Sequence, residues 1–165
     1  MLDNKKTYVA FKKGFNDRGF DGWLGFLIML RTLGLQSHVE LRLSDKYDNL
    51  SFSSDMDIGV RFKDIKYSHP ERWTFIEWDP LNNIYGPSYE KEHDLYLECK
   101  SIEGLKYDMY GVIVDELIPL RMQNDNEYWC SEAISHVMKI ADTSVSPVKL
   151  YRYMRKKEKD YESNA

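Results

Sequence analysis

Residues 37 to 78 read as a run of short strands, and from residue 89 onward the pattern becomes that of helices. This one change of period restricts the fold more than any other feature. Strands grouped along the chain pair with one another, and helices grouped along the chain cover them. The clearest strand is Ser37-His38-Val39-Glu40-Leu41-Arg42-Leu43, half-buried by its alternation, with Val39, Leu41 and Leu43 on one face and His38, Glu40 and Arg42 on the other. Leu50 to Ser54 follows as its hairpin partner through Asp45 to Asn49. Val60 to Lys66 makes a further strand and Trp73 to Trp78 another, ended by Asp79-Pro80. Ahead of them, Thr7 to Lys12 reads as an opening strand, Gly14 to Gly22 as a turn-rich connection, and Trp23 to Leu33 as a helix ended by Gly34. Helices are expected over Tyr89 to Lys100, Tyr107 to Leu117 and Trp129 to Ala141, with a short last one from Pro147. The pattern predicts an α+β fold, an antiparallel sheet packed against helices.

At 165 residues the chain fits a single domain, residues 1–165, with residues 160–165 expected as a flexible tail. A domain of this size buries about 70% of its unfolded surface, so a substantial core is expected. A content of 42% hydrophobic and 30% charged residues argues against disorder. The net charge of −4 argues against a dedicated nucleic-acid binder, whose affinity comes from neutralising phosphates. The one basic run, Arg152 to Lys159, is broken by Glu158 and reads as a solvated helix end. Cys99 and Cys130, the two cysteines, do not make a disulfide framework, and reduced thiols are the default. Met1 to Thr7 carries no apolar signal core, and the longest apolar stretch, Trp23 to Leu30, is too short to span a bilayer. A cytoplasmic protein with no membrane span is expected.

Cys130 carries the chemistry of interest. In Tyr128-Trp129-Cys130-Ser131-Glu132 it precedes the apolar series Ile134, Val137, Met138 and Ala141, which puts it in the first turn of an amphipathic helix. Unpaired amides and the positive dipole end favour a thiolate there, and cysteines in such settings have pKa values lowered from about 8.5 to between roughly 3.5 and 7.5. His38, fixed on a strand, is the candidate base, and Glu40, two residues on along the same face, lies about 7 Å away between Cα atoms, within reach of the ring. A thiol, an imidazole and an orienting carboxylate are the parts of a thiol-imidazole hydrolase. The plainer alternatives are a small buried hydrophobe for Cys130 and a surface strand histidine for His38. Cys99 reads as core. His136, six residues past Cys130, falls on the opposite helix face, His69 precedes Pro70 in a loop, and His93 lies among charges. No metal site is expected, because two separated cysteines and scattered histidines lack ligand spacing.

Taken in order, Ser37-His38-Val39-Glu40-Leu41, Gly59-Val60-Arg61-Phe62-Lys63, the Trp73 strand, Tyr107-Asp108, Trp129-Cys130-Ser131-Glu132 and Ser146-Pro147 resemble the circularly permuted NlpC-type papain-like cysteine hydrolases. That group includes many small bacterial and phage proteins as well as lecithin retinol acyltransferase. The likeness runs from about Leu27 to Leu150, and the histidine precedes the cysteine, as in the permuted branch. It implies a permuted papain-like fold with Cys130 as nucleophile, His38 as general base and a third polar group orienting the imidazole. Glu40 is the choice for that group, with a serine of Ser51, Ser53 and Ser54 or a backbone carbonyl as the alternatives. Trp129 and Tyr107 are the candidate substrate contacts, against plainer roles in packing beneath the site and, with Asp108, in opening a helix.

The implied activity is hydrolysis or acyl transfer on an amide, ester or thioester, with a cell-wall peptide amide the first substrate class and no cofactor. For a phage-encoded chain the compartment would be the host cytoplasm. The rival expectation is a non-catalytic binding or sequestering protein of phage or host-interaction type on the same fold.

Overall fold

The computed structural model describes residues 2–13, 36–67, 69–109, 127–140 and 146–164. Five strands form one antiparallel sheet: β1 (Thr7–Lys13), β2 (Gln36–Arg42), β3 (Ser51–Asp55), β4 (Gly59–Lys63) and β5 (Trp73–Trp78), in the spatial order β4-β3-β2-β1-β5. Three α-helices follow among the described residues: α1 (Glu92–Ser101), α2 (Cys130–Val137) and α3 (Pro147–Asn164). The α+β class and the antiparallel sheet expected from the sequence are therefore present.

Alternation decides which face the helices cover. Val9, Phe11, Val39, Leu41, Phe52, Val60 and Ile76 form one buried face and pack with Leu95 and Cys99 of α1, Ile134 and Val137 of α2, and Leu150 and Met154 of α3. Each such side chain contributes about 1.5–3 kcal/mol when fully buried. Helix α2 lies against β2 and β3, and α3 against β2, so β2 is central to both the sheet and the helical layer.

The other face departs from the half-buried strand that the sequence suggests. Glu40, Arg42, Ser51, Ser53 and Arg61 are all buried: Arg61 binds Glu40, Ser53 Oγ donates to the Val39 carbonyl, and Arg42 Nη2 donates to Asn4 and Asn49, while Arg42 Nη1 meets no partner among the described residues. Tyr67 joins this face: its hydroxyl lies 2.7 Å from Ser51 Oγ and its ring meets Trp73 and Phe75 edge-on. Burying a row of polar groups is costly unless their hydrogen bonds are made, and those of Glu40, Ser53 and Arg61 are made laterally across β2, β3 and β4.

The β3–β4 hairpin fixes one end of that row. Residues 56–58 make the turn, and Gly59 adopts φ +84°, the left-handed conformation that closes such a loop. A Cβ there would strike the Leu105 carbonyl, because the segment at 104–105 runs against β4, with Val60 N–H donating to Leu105 O at 2.8 Å and Gly104 N–H to Val60 O at 2.8 Å.

Several boundaries differ from the sequence reading. Strand β4 covers Gly59–Lys63 rather than Val60 to Lys66. Helix α1 starts at Glu92 rather than Tyr89, because Tyr89 is held apart by its N–H to Pro80 O and its hydroxyl to Val137 O, while Asp94 caps the Lys91 amide. Helix α2 stops at Val137, short of Ala141: Lys139 turns to φ 56°, and the carbonyls of Val137 and Met138 are taken by Tyr89 and by Asn83 Nδ2. The last helix, expected to be short, extends through Asn164 and takes in most of the segment read as a tail, with Arg155 bonded to Glu158 one turn on. The helices expected over Trp23 to Leu33 and over most of 107–117, and the connection at 14–22, lie outside the described residues. Among those described, no helix is long and apolar enough to cross a membrane.

Candidate active site

Period-two alternation puts His38 and Glu40 on one face of β2, and the structure joins them directly: His38 Nε2 lies 2.8 Å from Glu40 Oε1. Burial alone would push the Glu40 carboxyl up. Hydrogen bonds from Arg61 outweigh it, reinforced by the His38 bond and the two positive charges, and hold the carboxyl at about 2 against an ordinary 4.5. Glu40 is thus a carboxylate, so Nε2–H donates to it. The other ring nitrogen, Nδ1, is left for Cys130.

Cys130 opens α2, whose packing against β2 and β3 carries the thiol to His38. Trp129 is the N-cap in extended conformation, and Glu132 one turn later accepts from the Trp129 amide at 3.4 Å, which sets where the helix begins. The Cys130 sulfur and the His38 ring share a hydrogen bond. Burial works against a charged imidazole here, but the Cys130 charge and hydrogen bond, followed by those of Glu40, raise His38 to about 10 from 6.5. An imidazolium bonded to the Glu40 carboxylate and facing Cys130 is the state these contacts favour. Cys130 is 6% exposed and the His38 side chain 23% exposed, so the pair sits at the edge of the interior rather than deep within it.

Behind Glu40 stands Arg61 of β4. Nη1 donates to Glu40 Oε2 at 2.8 Å, Nη2 to Glu40 Oε1 at 2.7 Å, and Nε to Asp55 Oδ2 at 2.8 Å. Asp55 Oδ1 is 3.8 Å from His38 Nε2. A continuous chain of contacts therefore runs from Cys130 through His38, Glu40 and Arg61 to Asp55. Neither Arg61 nor Asp55 stands out in the sequence for this role. The available signal was a charged residue between Val60 and Phe62 on a short strand, on the face that the β3 pairing shares with Ser53.

His38, Glu40 and Asp55 offer three ligand atoms within 4.8 Å of one another, a spacing a metal ion could use. The chemistry of the donor set fits an ion poorly, because Arg61 already binds both carboxylates and would place a guanidinium beside the cation.

Trp129 is buried beside Cys130 and packs with Tyr107, Met56 and Met109 in a small cluster separate from the main core. The two aromatic residues singled out from sequence, Trp129 and Tyr107, are thus brought together. Cys99 is fully buried in the main core, and burial raises its thiol well above the ordinary range. Of the remaining histidines, His136 faces Glu98 at 3.5 Å and Tyr128, His69 faces Glu71 at 3.3 Å, and His93 stacks on Tyr96.

The Glu40 carboxyl also ties stability to pH. Its folded value, about 2, lies below the ordinary 4.5. Its contribution is therefore present above pH 4.5 and is lost as pH falls through the interval down to 2, where the unfolded chain binds a proton that the folded chain does not. Urea midpoints measured from pH 6 to pH 2.5 should fall across this interval, and the fall should be shallower when Glu40 and Arg61 are both replaced by neutral residues.

Comparison with known proteins adds no relative: no family model, no curated protein and no solved structure matches the chain.

Proposed function

We propose that the protein is a cysteine hydrolase or acyltransferase acting on an amide, ester or thioester, built as a permuted papain-like domain of NlpC type. The observation that supports this reading best is the joined set Cys130, His38 and Glu40, a nucleophile, a base and an orienting carboxylate from two different elements. In the first step the Cys130 thiolate attacks the acyl carbonyl, and the backbone N–H of Cys130 at the start of α2 is suited to receive the oxyanion. The His38 imidazolium gives its Nδ1 proton to the leaving amine, alcohol or thiol as the carbon–heteroatom bond breaks, leaving a thioester on Cys130. His38, now neutral, takes a proton from water or from another acceptor, which attacks the thioester, releases the acyl product and returns the proton to the pair. Glu40 keeps the ring in place and stabilises its charge throughout.

The test is the pH dependence of alkylation by iodoacetamide, followed at each cysteine by mass spectrometry. An ordinary thiol near pKa 8.5 is under about 1% thiolate at pH 6. Cys130 should react at pH 6 at least about tenfold faster than such a thiol, His38→Ala should remove that excess, and Cys99 should stay unmodified until the protein is unfolded. Identical slow profiles in both proteins would sink the catalytic reading and favour a binding protein on the same fold.

A further inference from the structure

We infer that Arg61 is a positioning residue of this site: it fixes both oxygens of Glu40 so that one carboxylate edge is held against His38. The inference rests on the proposed Cys130–His38–Glu40 chemistry. A buried ion pair that served only to hold β2 to β4 would need Arg61 and Glu40 and nothing more. Here three donors converge on one carboxylate: Arg61 Nη1 takes Oε2 at 2.8 Å, while Arg61 Nη2 at 2.7 Å and His38 Nε2 at 2.8 Å meet on Oε1. The planar fork of an arginine fixes the carboxylate in rotation as well as position, which an ammonium cannot do.

Arg61 is itself held. Its Nε donates to Asp55 Oδ2 at 2.8 Å, and its Nη1 reaches the Ser51 carbonyl at 3.4 Å. Arg61 is buried and hydrogen-bonded at every nitrogen. Without it, burial would drive the Glu40 carboxyl towards its neutral form, and a neutral carboxyl gives an imidazolium far less support. The effect would pass along the chain of contacts to Cys130, although Arg61 touches neither the thiol nor the position of a reacting carbonyl.

Among the described residues, the charged and titratable groups around His38 are few enough to assign an effect. Glu40 lies on its own strand, Lys12 is its register partner on β1, Asp55 comes from β3, Arg61 and Lys63 from β4, and Cys130 from α2. Lys63 Nζ is 3.8 Å from Asp55 Oδ2 and half exposed, so it does not replace Arg61.

The experiment is the rate of Cys130 alkylation by iodoacetamide between pH 5 and pH 9 in the wild type, Arg61→Met, Arg61→Lys, Glu40→Gln and the double variant Glu40→Gln with Arg61→Met, each checked for folding by circular dichroism. The double variant leaves no buried charge without a partner on Glu40, and Arg61→Lys keeps the charge while losing the fork, so one of them reports even where Arg61→Met does not fold. Arg61→Met and Arg61→Lys should each lower the rate at pH 6 by at least about tenfold, towards an ordinary thiol. In the Glu40→Gln background, adding Arg61→Met should change the profile by less than about twofold, since Arg61 acts through Glu40. A wild-type acid-side rate that survives in folded Arg61→Met or Arg61→Lys overturns the inference alone, as does an Arg61→Met effect of full size in the Glu40→Gln background. A wild-type profile like that of an ordinary thiol overturns the activated pair, and this inference with it.

Discussion

Mixed with p-nitrophenyl acetate, the wild-type protein should release p-nitrophenolate in a burst equal to the enzyme concentration and carry one acetyl group on Cys130, and Cys130→Ala should lower the rate by at least about a thousandfold. The size of that loss follows from the chemistry. An activated ester needs little help with its leaving group, so the reaction isolates the nucleophile from substrate recognition. Removing the nucleophile of a triad leaves only the electrostatic and binding contributions, which in well-studied hydrolases is a loss of several orders of magnitude. Alanine in the first turn of α2 suits a helix, and Cys130 is in no disulfide, so the variant should fold. A Cys130→Ala protein that still gives the burst, with acetyl on another side chain, would remove Cys130 from the proposal.

The second large effect concerns stability. Arg61→Met alone should destabilise the fold by about 3–5 kcal/mol in urea unfolding, because it leaves the Glu40 carboxylate buried with only the His38 ring for support. Combining it with Glu40→Gln should recover most of that loss. A buried ion pair often contributes little over neutral side chains of similar size, while half of one is costly. Asp55 is also released in both variants, but at 20% exposure, with Lys63 nearby, it is reached by water. If the single and double variants lose the same stability, the cost lies in the packing of the Arg61 stem and not in the orphaned charge. Stability and reactivity then separate: the double variant should fold well and still show a less reactive Cys130.

The members of the site could be read from the chain to different degrees, for physical reasons. His38 and Glu40 were legible because alternation along one strand is local: two residues two apart on β2 share a face whatever the rest of the fold does. Cys130 was legible because Trp129, Glu132 and the apolar spacing of Ile134 and Val137 mark the start of a helix from a few neighbouring residues. The meeting of His38 with Cys130 is not local, and it came from the order of motifs and not from any spacing. Arg61 was not picked out. Its pairing with Glu40 depends on the register of β3 against β4, Ser53 opposite Arg61, and on that of β2 against β3, neither of which is written in the residues around Arg61. The strands at 37–43 and 73–78 were legible nearly to the residue. The ends of α1 and α2 were not, because Tyr89, Asn83 and Lys139 set them through contacts made across the fold.

Strand order carries a consequence for when the proposed site can assemble. Strand β5 does not pair with β4, the strand before it, but crosses to β1, where Thr7 faces Trp78. The sheet therefore closes only after a long loop has been brought together, a kind of contact that is slow to form and entropically costly. During synthesis His38 and Glu40 leave the ribosome well before Cys130, and their strand lacks its α2 and α3 neighbours until those segments follow. A nascent or truncated chain ending before Cys130 holds the His38 imidazole without the thiol proposed to pair with it. The proposed pair of His38 and Cys130 can therefore form only once the last third of the chain has been made.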